Sequence, residues 1–250
     1  STRIAIGAHR LRSVGELVRF VPAPAFSQFV QDKARRILLR AANRVGKTRH
    51  CAYRAALRAM TEPHTRIRCI GPTNKHAQTV LGGYLAEFLK PYLHPSSYYV
   101  AGKGWNGGRE KVIRLTNGSY IEIFSLEDSV DAHSGASLHE VIMDEPPSRA
   151  HYTENLARII DTGGSLVIAA TMVNRPVRWL RDMVELGGMS PSAGRTVHES
   201  GWVQYVATFR PENVPWMPES QVAFWLDAMR ASPWQHAQRV EAKWEGGASE

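Results

Sequence analysis

The apolar and polar positions of the chain follow two patterns, short apolar segments that predict strands and helically spaced apolar residues that predict helices. Continuous apolar runs are typical of parallel strands that are covered on both faces. Strands are predicted at residues 37–39, 141–143, 163–172 and 202–209, and also at residues 66–71, where apolar and polar residues alternate. Helical spacing predicts helices over residues 8–20, 26–36, 47–57, 74–89, 177–183, 219–229 and 233–241. This order predicts an α/β fold with a mainly parallel central β-sheet flanked by helices.

One further segment predicts a β-hairpin. Apolar residues at 112–115 and 120–124 flank Asn117-Gly118, a dipeptide that favours the tight turn between antiparallel strands. The glycine-rich run 102–108, which contains Lys103 and Trp105, predicts a flexible loop before the hairpin. Residues 190–194 predict a second loop.

The junction between the first strand and its helix has the pattern of a phosphate-binding loop. The pattern is Gly-x-x-x-x-Gly-Lys-Ser/Thr, and the chain matches it with Gly46, Lys47 and Thr48 but has Ala41 at the first glycine position. Backbone N–H groups of such a loop point at phosphates, to which the positive end of the helix dipole adds attraction. Lys47 would contact the β- and γ-phosphates, and the Thr48 hydroxyl would bind Mg²⁺. A strand-to-helix turn that contains Gly-Lys-Thr by chance is the alternative.

Two later predicted strands end in residues suited to nucleotide hydrolysis. The strand over 141–143 leads into Asp144 and Glu145, which fit an aspartate that orients Mg²⁺ and a glutamate that polarises the attacking water. The strand over 163–172 ends near Thr171, which fits a hydroxyl that senses the γ-phosphate; a plain strand end is the alternative. Upstream of the loop, Gln28 is either a residue that reads the adenine edge or a surface glutamine.

The charge of the chain is concentrated near the predicted phosphate loop. The net charge is +8, and residues 1–50 hold eleven Lys or Arg against Glu16 and Asp32. Such an asymmetry is typical of a polyanion-binding surface, although part of it can simply solvate an N-terminal helix. Cys51 and Cys69 have no metal-ligand spacing and fit a reducing compartment. The sequence shows no signal peptide and no apolar run of about 20 residues, so we expect an intracellular protein without a membrane span.

These segments, taken in order, resemble the ATPase domain of the terminase large subunit, the motor that packages DNA into tailed-phage capsids. The resemblance covers most of the chain. It rests on segments 26–28, 42–48, 116–122, 134–136, 141–147, 161–171 and 239–245. It implies a phosphate-loop ATPase of the additional-strand, RecA/helicase-like type, in which a strand ending in Thr171 couples hydrolysis to movement.

The resemblance implies a site, cofactors and partners for the chain. The cofactors are ATP, bound by Gln28, Thr171 and the loop residues Ala42, Asn43, Arg44, Val45, Gly46, Lys47 and Thr48, and Mg²⁺, bound through Thr48 and Asp144. The implied catalytic residues are Glu145, Lys47 and Arg44. The implied partners are double-stranded DNA, the portal protein, the small terminase subunit and further copies of the chain, in a ring of five on the procapsid in the host cytoplasm.

The resemblance also divides the chain into three regions of one ATPase domain. Residues 1–36 form an N-terminal helical segment on the adenine side, residues 37–210 the ATPase core, and residues 211–250 a C-terminal helical region. Relatives continue into a nuclease with metal-binding acids, and we expect no nuclease activity from these residues. Met172 stands where the coupling motif often has proline.

Two questions stay open at the level of sequence. A neighbouring subunit of such a ring supplies an arginine to the ATP, and Arg44, Arg109, Arg149 and Arg158 are candidates, with Arg44 better placed to act within its own subunit. The competing functions are another helicase-like ATPase that remodels nucleic acid, and a DNA-binding module whose phosphate loop has decayed, as Ala41 would allow.

Overall fold

A computed structural model describes residues 16–108, 110–171 and 178–244 and contains one eight-stranded sheet. The strands are β1 (Arg36–Ala41), β2 (Arg66–Gly71), β3 (Tyr99–Val100), β4 (Gly104–Trp105), β5 (Val112–Arg114), β6 (Tyr120–Ser125), β7 (Glu140–Asp144), β8 (Ser165–Ala170), β9 (Gly194–Val197) and β10 (Val203–Ala207). The large sheet has the order β5-β6-β2-β7-β8-β1-β10-β9, and β3 pairs with β4 separately. The six inner strands are parallel, whereas β5 and β9 run antiparallel at the two edges.

The described helices cover both faces of this sheet. They are α1 (Glu16–Arg19), α2 (Lys47–Thr61), α3 (Gly82–Leu89), α4 (Arg149–Ala157), α5 (Arg178–Glu185), α6 (Glu219–Arg230) and α7 (Pro233–Arg239). A π-helical segment, His76–Leu81, precedes α3 directly. The expected α/β architecture is therefore confirmed.

Successive residues of the buried strands face opposite layers, as the pleat of a strand requires. In β1, Ile37 and Leu39 belong to the apolar core shared with α2 and α3, whereas Leu38 belongs to the core on the other face, with Leu180 of α5. This burial on both sides explains why β1, β7 and β8 contain continuous apolar runs in the sequence.

Strand β8 lies between β1 and β7, which defines the type of nucleotide-binding sheet. The strand that leads to the phosphate loop and the strand that ends in Asp144 are therefore not neighbours, and β8, which leads to Thr171, separates them. This is the predicted additional-strand arrangement. It brings the carboxyl ends of all three strands to one edge of the sheet.

A buried ion pair holds α2 against the sheet. Arg54 of α2 donates from Nε to Oε1 of Glu140, the first residue of β7, at 2.9 Å, and both side chains are almost fully buried. Ser165, the first residue of β8, donates to the same carboxylate oxygen at 2.9 Å. Because the bonds join the middle of α2 to two strands, they fix where the amino end of α2 lies.

The predicted helix over residues 26–36 is wrong. This segment forms two short 3₁₀ turns, Pro24–Phe26 and Phe29–Gln31, before β1 begins at Arg36. Phe26 and Phe29 are both fully buried. Their spacing of three residues suits a 3₁₀ turn as well as an α-helix, and the apolar pattern does not distinguish the two.

Two other predictions need correction or extension. The run 102–108 is not simply a flexible loop, because it forms the small hairpin of β3 and β4, in which Trp105 is fully buried and donates from Nε1 to the Gly82 carbonyl at 3.1 Å. The edge strand β9 and helix α4 were not predicted. The hairpin of β5 and β6 is confirmed, with Ile113 opposite Ile121. Predictions for residues 8–15 and for 172–177, including Met172, lie outside the described residues.

Candidate nucleotide site

The predicted phosphate loop connects β1 to α2 and is held by hydrogen bonds from both of its sides. Gly46 precedes α2 with φ 78°, and Arg44 also has a positive φ of 67°. The Ala42 N–H donates to the Ala207 carbonyl at 2.8 Å, and the Asn43 N–H donates to the Arg239 carbonyl at 2.9 Å. The loop is thus fastened to β10 and to the end of α7, and the amino end of α2 opens beside it.

Alanine at position 41 is compatible with this loop. Ala41 is the last residue of β1, pairs with Ala207 of β10, and does not have a positive φ. Glycine is favoured where φ is positive or where the backbone must pass close to another group. The φ of Ala41 is not positive, so the backbone conformation does not call for glycine at this position. The buried methyl group instead packs in the core, so its presence does not indicate a decayed loop.

His50 forms a hydrogen bond to the phosphate loop, a contact that the sequence did not predict. The Ala23 N–H donates to His50 Nε2 at 3.2 Å, so Nδ1 carries the ring proton and donates to the Gly46 carbonyl at 2.8 Å. Phe26 stacks on the imidazole with ring centroids 3.9 Å apart. Burial lowers the pKa of His50 to about 4, which keeps the ring neutral near pH 7.

Lys47 lies between two carboxylates at the carboxyl end of β7. Its Nζ lies 3.1 Å from Asp144 Oδ1 and donates a short hydrogen bond to Glu145 Oε1. Asp144 is only 1% exposed, whereas the Glu145 side chain is 24% exposed. Burial disfavours the charge of Lys47, but the two carboxylates outweigh it and raise its pKa above the usual value.

Asp144 accepts two further hydrogen bonds, one of which was not expected. The Thr48 hydroxyl donates to Asp144 Oδ2 at 2.7 Å, and His76 Nε2 lies 2.9 Å from the same oxygen. Burial raises the pKa of Asp144, but Lys47 and the hydrogen bonds from His76 and Thr48 outweigh burial and hold it well below its usual range. Asp144 is therefore a buried carboxylate that stays ionised.

Glu145 is held in a specific orientation by Thr171. The Thr171 N–H donates to Glu145 Oε2, and its hydroxyl donates to Oε1, both at 3.2 Å. The backbone of Glu145 has φ 128°, a conformation rarely adopted by residues other than glycine and found mainly at functional sites. The end of β8 thus contacts the acid that follows β7.

These groups surround a cavity of about 500 Å³ beside the loop. Most of the predicted site residues line it, namely Ala42, Asn43, Arg44, Gly46, Lys47, Thr48, Glu145 and Thr171. Val45 is fully buried in the core, and Gln28 is exposed and does not line the cavity. Trp216, which also lines it, was missed because nothing in its sequence context marks it.

Comparison with known proteins places this geometry in a family. Residues 38–216 match the family model of the terminase large subunit, T4-like virus type, N-terminal part. The chain belongs to this family. It is a terminase ATPase domain, the ATP-hydrolysing part of a DNA-packaging motor, as the sequence resemblance implied.

Solved terminases share the fold of this terminase domain at low sequence identity. The large terminase ATPase domain of Thermus phage P74-26 matches with a TM-score of 0.65 and 18% identity, over 92% of this chain and 96% of that chain. The large terminase of a second thermophilic bacteriophage matches with a TM-score of 0.64 and 15% identity, over 90% of this chain and 54% of that chain. A comparison with curated protein sequences gives no match.

Part of the basic excess of the terminase domain is paired within the fold rather than presented to a polyanion. Arg40 is buried beside Glu185 at 3.6 Å, and burial lowers its pKa to about 10. Arg49 pairs with Glu87 at 2.5 Å and lies over the Phe20 ring. The exposed basic residues between 16 and 50 are Arg19, Lys33, Arg35 and Arg44. In the described ranges, no helix is both long and apolar enough to span a bilayer.

Proposed function

We propose that Lys47, Thr48, Asp144, Glu145 and Thr171 bind and hydrolyse ATP in this terminase domain. The observation that supports this most is their convergence at one edge of the sheet, beside the amino end of α2 and next to a cavity of about 500 Å³. The large terminase of the second thermophilic bacteriophage, a structural relative, has been solved with ADP and with ATP-gamma-S. These structures support the same ligand class here.

The oxygen atoms of Thr48 and Asp144 are suitable ligands for a magnesium ion. Since the Thr48 hydroxyl donates its proton to Asp144, its oxygen lone pairs remain available to a cation. Thr48 and Asp144 would hold Mg²⁺ together with phosphate oxygens and water, the ligand set that Mg²⁺ prefers. When bound, the ion neutralises charge on the β- and γ-phosphates.

Lys47 and Glu145 have separate tasks in this proposal. When ATP binds, Lys47 leaves the two carboxylates and contacts the phosphates instead. The carboxylates and the phosphates are both anionic, and the flexible lysine side chain can reach either. Glu145, released from Lys47 and oriented by Thr171, accepts a proton from the attacking water. Arg44, exposed on the cavity rim, stabilises the charge that develops on the phosphates. Contact of Gln28 with adenine stays a prediction.

Replacing Glu145 by glutamine tests this division. We expect Glu145→Gln to bind a fluorescent ATP analogue with Mg²⁺ and to hydrolyse ATP about 10²- to 10⁴-fold more slowly, since a general base is worth that much. Lys47→Ala should instead weaken binding itself. Glu110→Gln is the matched control, because Glu110 is a half-exposed partner of Arg114 on the surface. Wild-type turnover in Glu145→Gln and Lys47→Ala would contradict the proposal.

We propose further that the domain acts on double-stranded DNA in the cytoplasm of an infected bacterium, as a ring with the portal protein and the small terminase subunit. An arginine from a neighbour would complete each site. Arg149 is exposed at the start of α4, Arg158 pairs with Glu154 at 3.4 Å, and Arg109 lies outside the described residues. The ATPase rate per molecule should therefore rise with protein concentration and with added DNA; a rate independent of both would contradict it.

A further inference from the structure

His76 contacts the centre of the nucleotide site although neither sequence motif contains it. Its Nε2 lies 2.9 Å from Asp144 Oδ2, the same oxygen that accepts from Thr48 at 2.7 Å. An ionised carboxylate can only accept, so Nε2 must carry a proton and donate. Oδ2 therefore has two donors, whereas Oδ1 faces only Lys47 at 3.1 Å.

The fold places His76 there through an unusual local structure. His76 begins the π-helical segment that follows β2, and its backbone N–H is capped by the Thr73 hydroxyl at 3.1 Å. This segment lies directly on Gly71, where an added Cβ would come within 2.8 Å of Ala77 Cα. Single π-helical turns inside helices are frequent at functional sites. Because β2 neighbours β7, the segment lies beside Asp144.

The hydrogen bond from His76 matters most once Lys47 has turned to a ligand. Asp144 then loses its cationic neighbour while remaining buried, and an ionised carboxylate in that position needs hydrogen bonds. Thr48 and His76 are the donors that Asp144 retains. His76 donates from the π-helical segment that follows β2, whereas Thr48 donates from α2, so two separate elements hold Oδ2 in place.

We propose that His76 is a positioning residue for the magnesium ion, acting through Asp144. This inference rests on the proposed function of the site. The side chain of His76 is 29% exposed, so its loss should leave the fold intact. Removing a group that orients a metal-binding carboxylate typically lowers metal affinity about 10- to 100-fold.

The test compares the affinity for a non-hydrolysable fluorescent ATP analogue with EDTA and with Mg²⁺. The ratio of the two dissociation constants measures the affinity that the metal adds. In His76→Met, which has no N–H donor, we expect this ratio to fall at least about tenfold, with the dissociation constant in EDTA unchanged. His76→Gln, which keeps an N–H donor, should restore most of the ratio. His94→Ala is the control, because the exposed side chain of His94 bonds the nearby Ser96, away from the nucleotide site.

Each possible result either supports or overturns the assignment of His76 as a positioning residue. A wild-type ratio in His76→Met, or an equal loss in His76→Gln, would overturn the assignment. If His76→Met fails to fold, His76→Ala takes its place, and failure of both would show a purely structural role. A wild-type protein that binds the analogue in neither condition would count against the proposed function itself, whereas a normal wild type with an unaffected His76→Met would count against His76 alone.

Discussion

Lys47→Met should destabilise the fold as well as remove nucleotide binding. The substitution leaves Asp144, which is 1% exposed, without the ammonium group 3.1 Å away. At that distance the attraction is about 5 kcal/mol for an effective dielectric constant of 20. Glu145 can turn to water, but Asp144 cannot. Since breaking a buried pair by removing one partner typically costs about 3–5 kcal/mol, we expect a loss in that range at pH 7.5.

The loss of unfolding free energy in Lys47→Met should become smaller as the pH falls. In the wild type, the pKa of Asp144 lies below its unfolded value, so Asp144 contributes stability that is present above the unfolded pKa and lost as pH falls through the folded pKa. Without Lys47, burial is opposed only by hydrogen bonds, and we expect the pKa to rise above the unfolded value of about 3.9. The variant should then gain stability relative to the wild type as pH falls from 7.5 to 4.5, towards the raised pKa.

Urea unfolding at both pH values measures these free energies directly. Lys33→Met is the matched control, because Lys33 is 88% exposed and 3.9 Å from Glu62, and it should change stability by less than about 0.5 kcal/mol. Adding Asp144→Asn to Lys47→Met should recover part of the loss. A loss below about 1 kcal/mol at pH 7.5, against the range expected for buried pairs, or a loss equal at both pH values, would refute the reasoning.

Two further predictions concern the loop and its support. Gly46→Ala places a side chain on a residue with a φ of 78° and puts its Cβ 3.0 Å from Trp216. The free energy of unfolding should therefore fall by about 1–2 kcal/mol, and the affinity for an ATP analogue should fall with it. Full wild-type affinity in a binding titration would contradict this prediction. The pKa of His50, lowered to about 4 by burial, implies that stability is lost as pH falls from about 6.5 towards 4, because the unfolded state binds the proton first. His50→Gln should flatten this part of the stability–pH curve, whereas His94→Gln should leave it unchanged.

The local apolar pattern was enough to predict the strands that are buried on both faces. The strand from Ile37 to Leu39 and the strand ending at Asp144 are buried on both faces, so hydrophobicity alone reveals them. Strand β9 was missed because it is an exposed edge with little apolar content. The 3₁₀ turns at 24–31 were misassigned because Phe26 is positioned by stacking on His50, a contact between residues distant in sequence.

The site residues that belong to sequence motifs were predictable, whereas those that reach the site only through the order of the strands and the path of the loops were not. Lys47, Thr48, Asp144, Glu145 and Thr171 follow strands in recognisable patterns, and the structure brings them together. Finding His76 requires knowing that β2 lies beside β7, which is a property of the sheet order rather than of either segment. Trp216 reaches the cavity through a turn after β10, and no local signal predicts that path.

The hydrogen bond from the Asn43 N–H to the Arg239 carbonyl bears on where this domain can be cut. The family match ends at residue 216, yet the loop is fastened to residue 239. On the other side, Ala23 and Phe26 hold His50 although the match begins at residue 38. A protein trimmed to the matched residues would keep every motif and lose supports at both ends of the phosphate loop. Expression boundaries should therefore enclose at least residues 23–239.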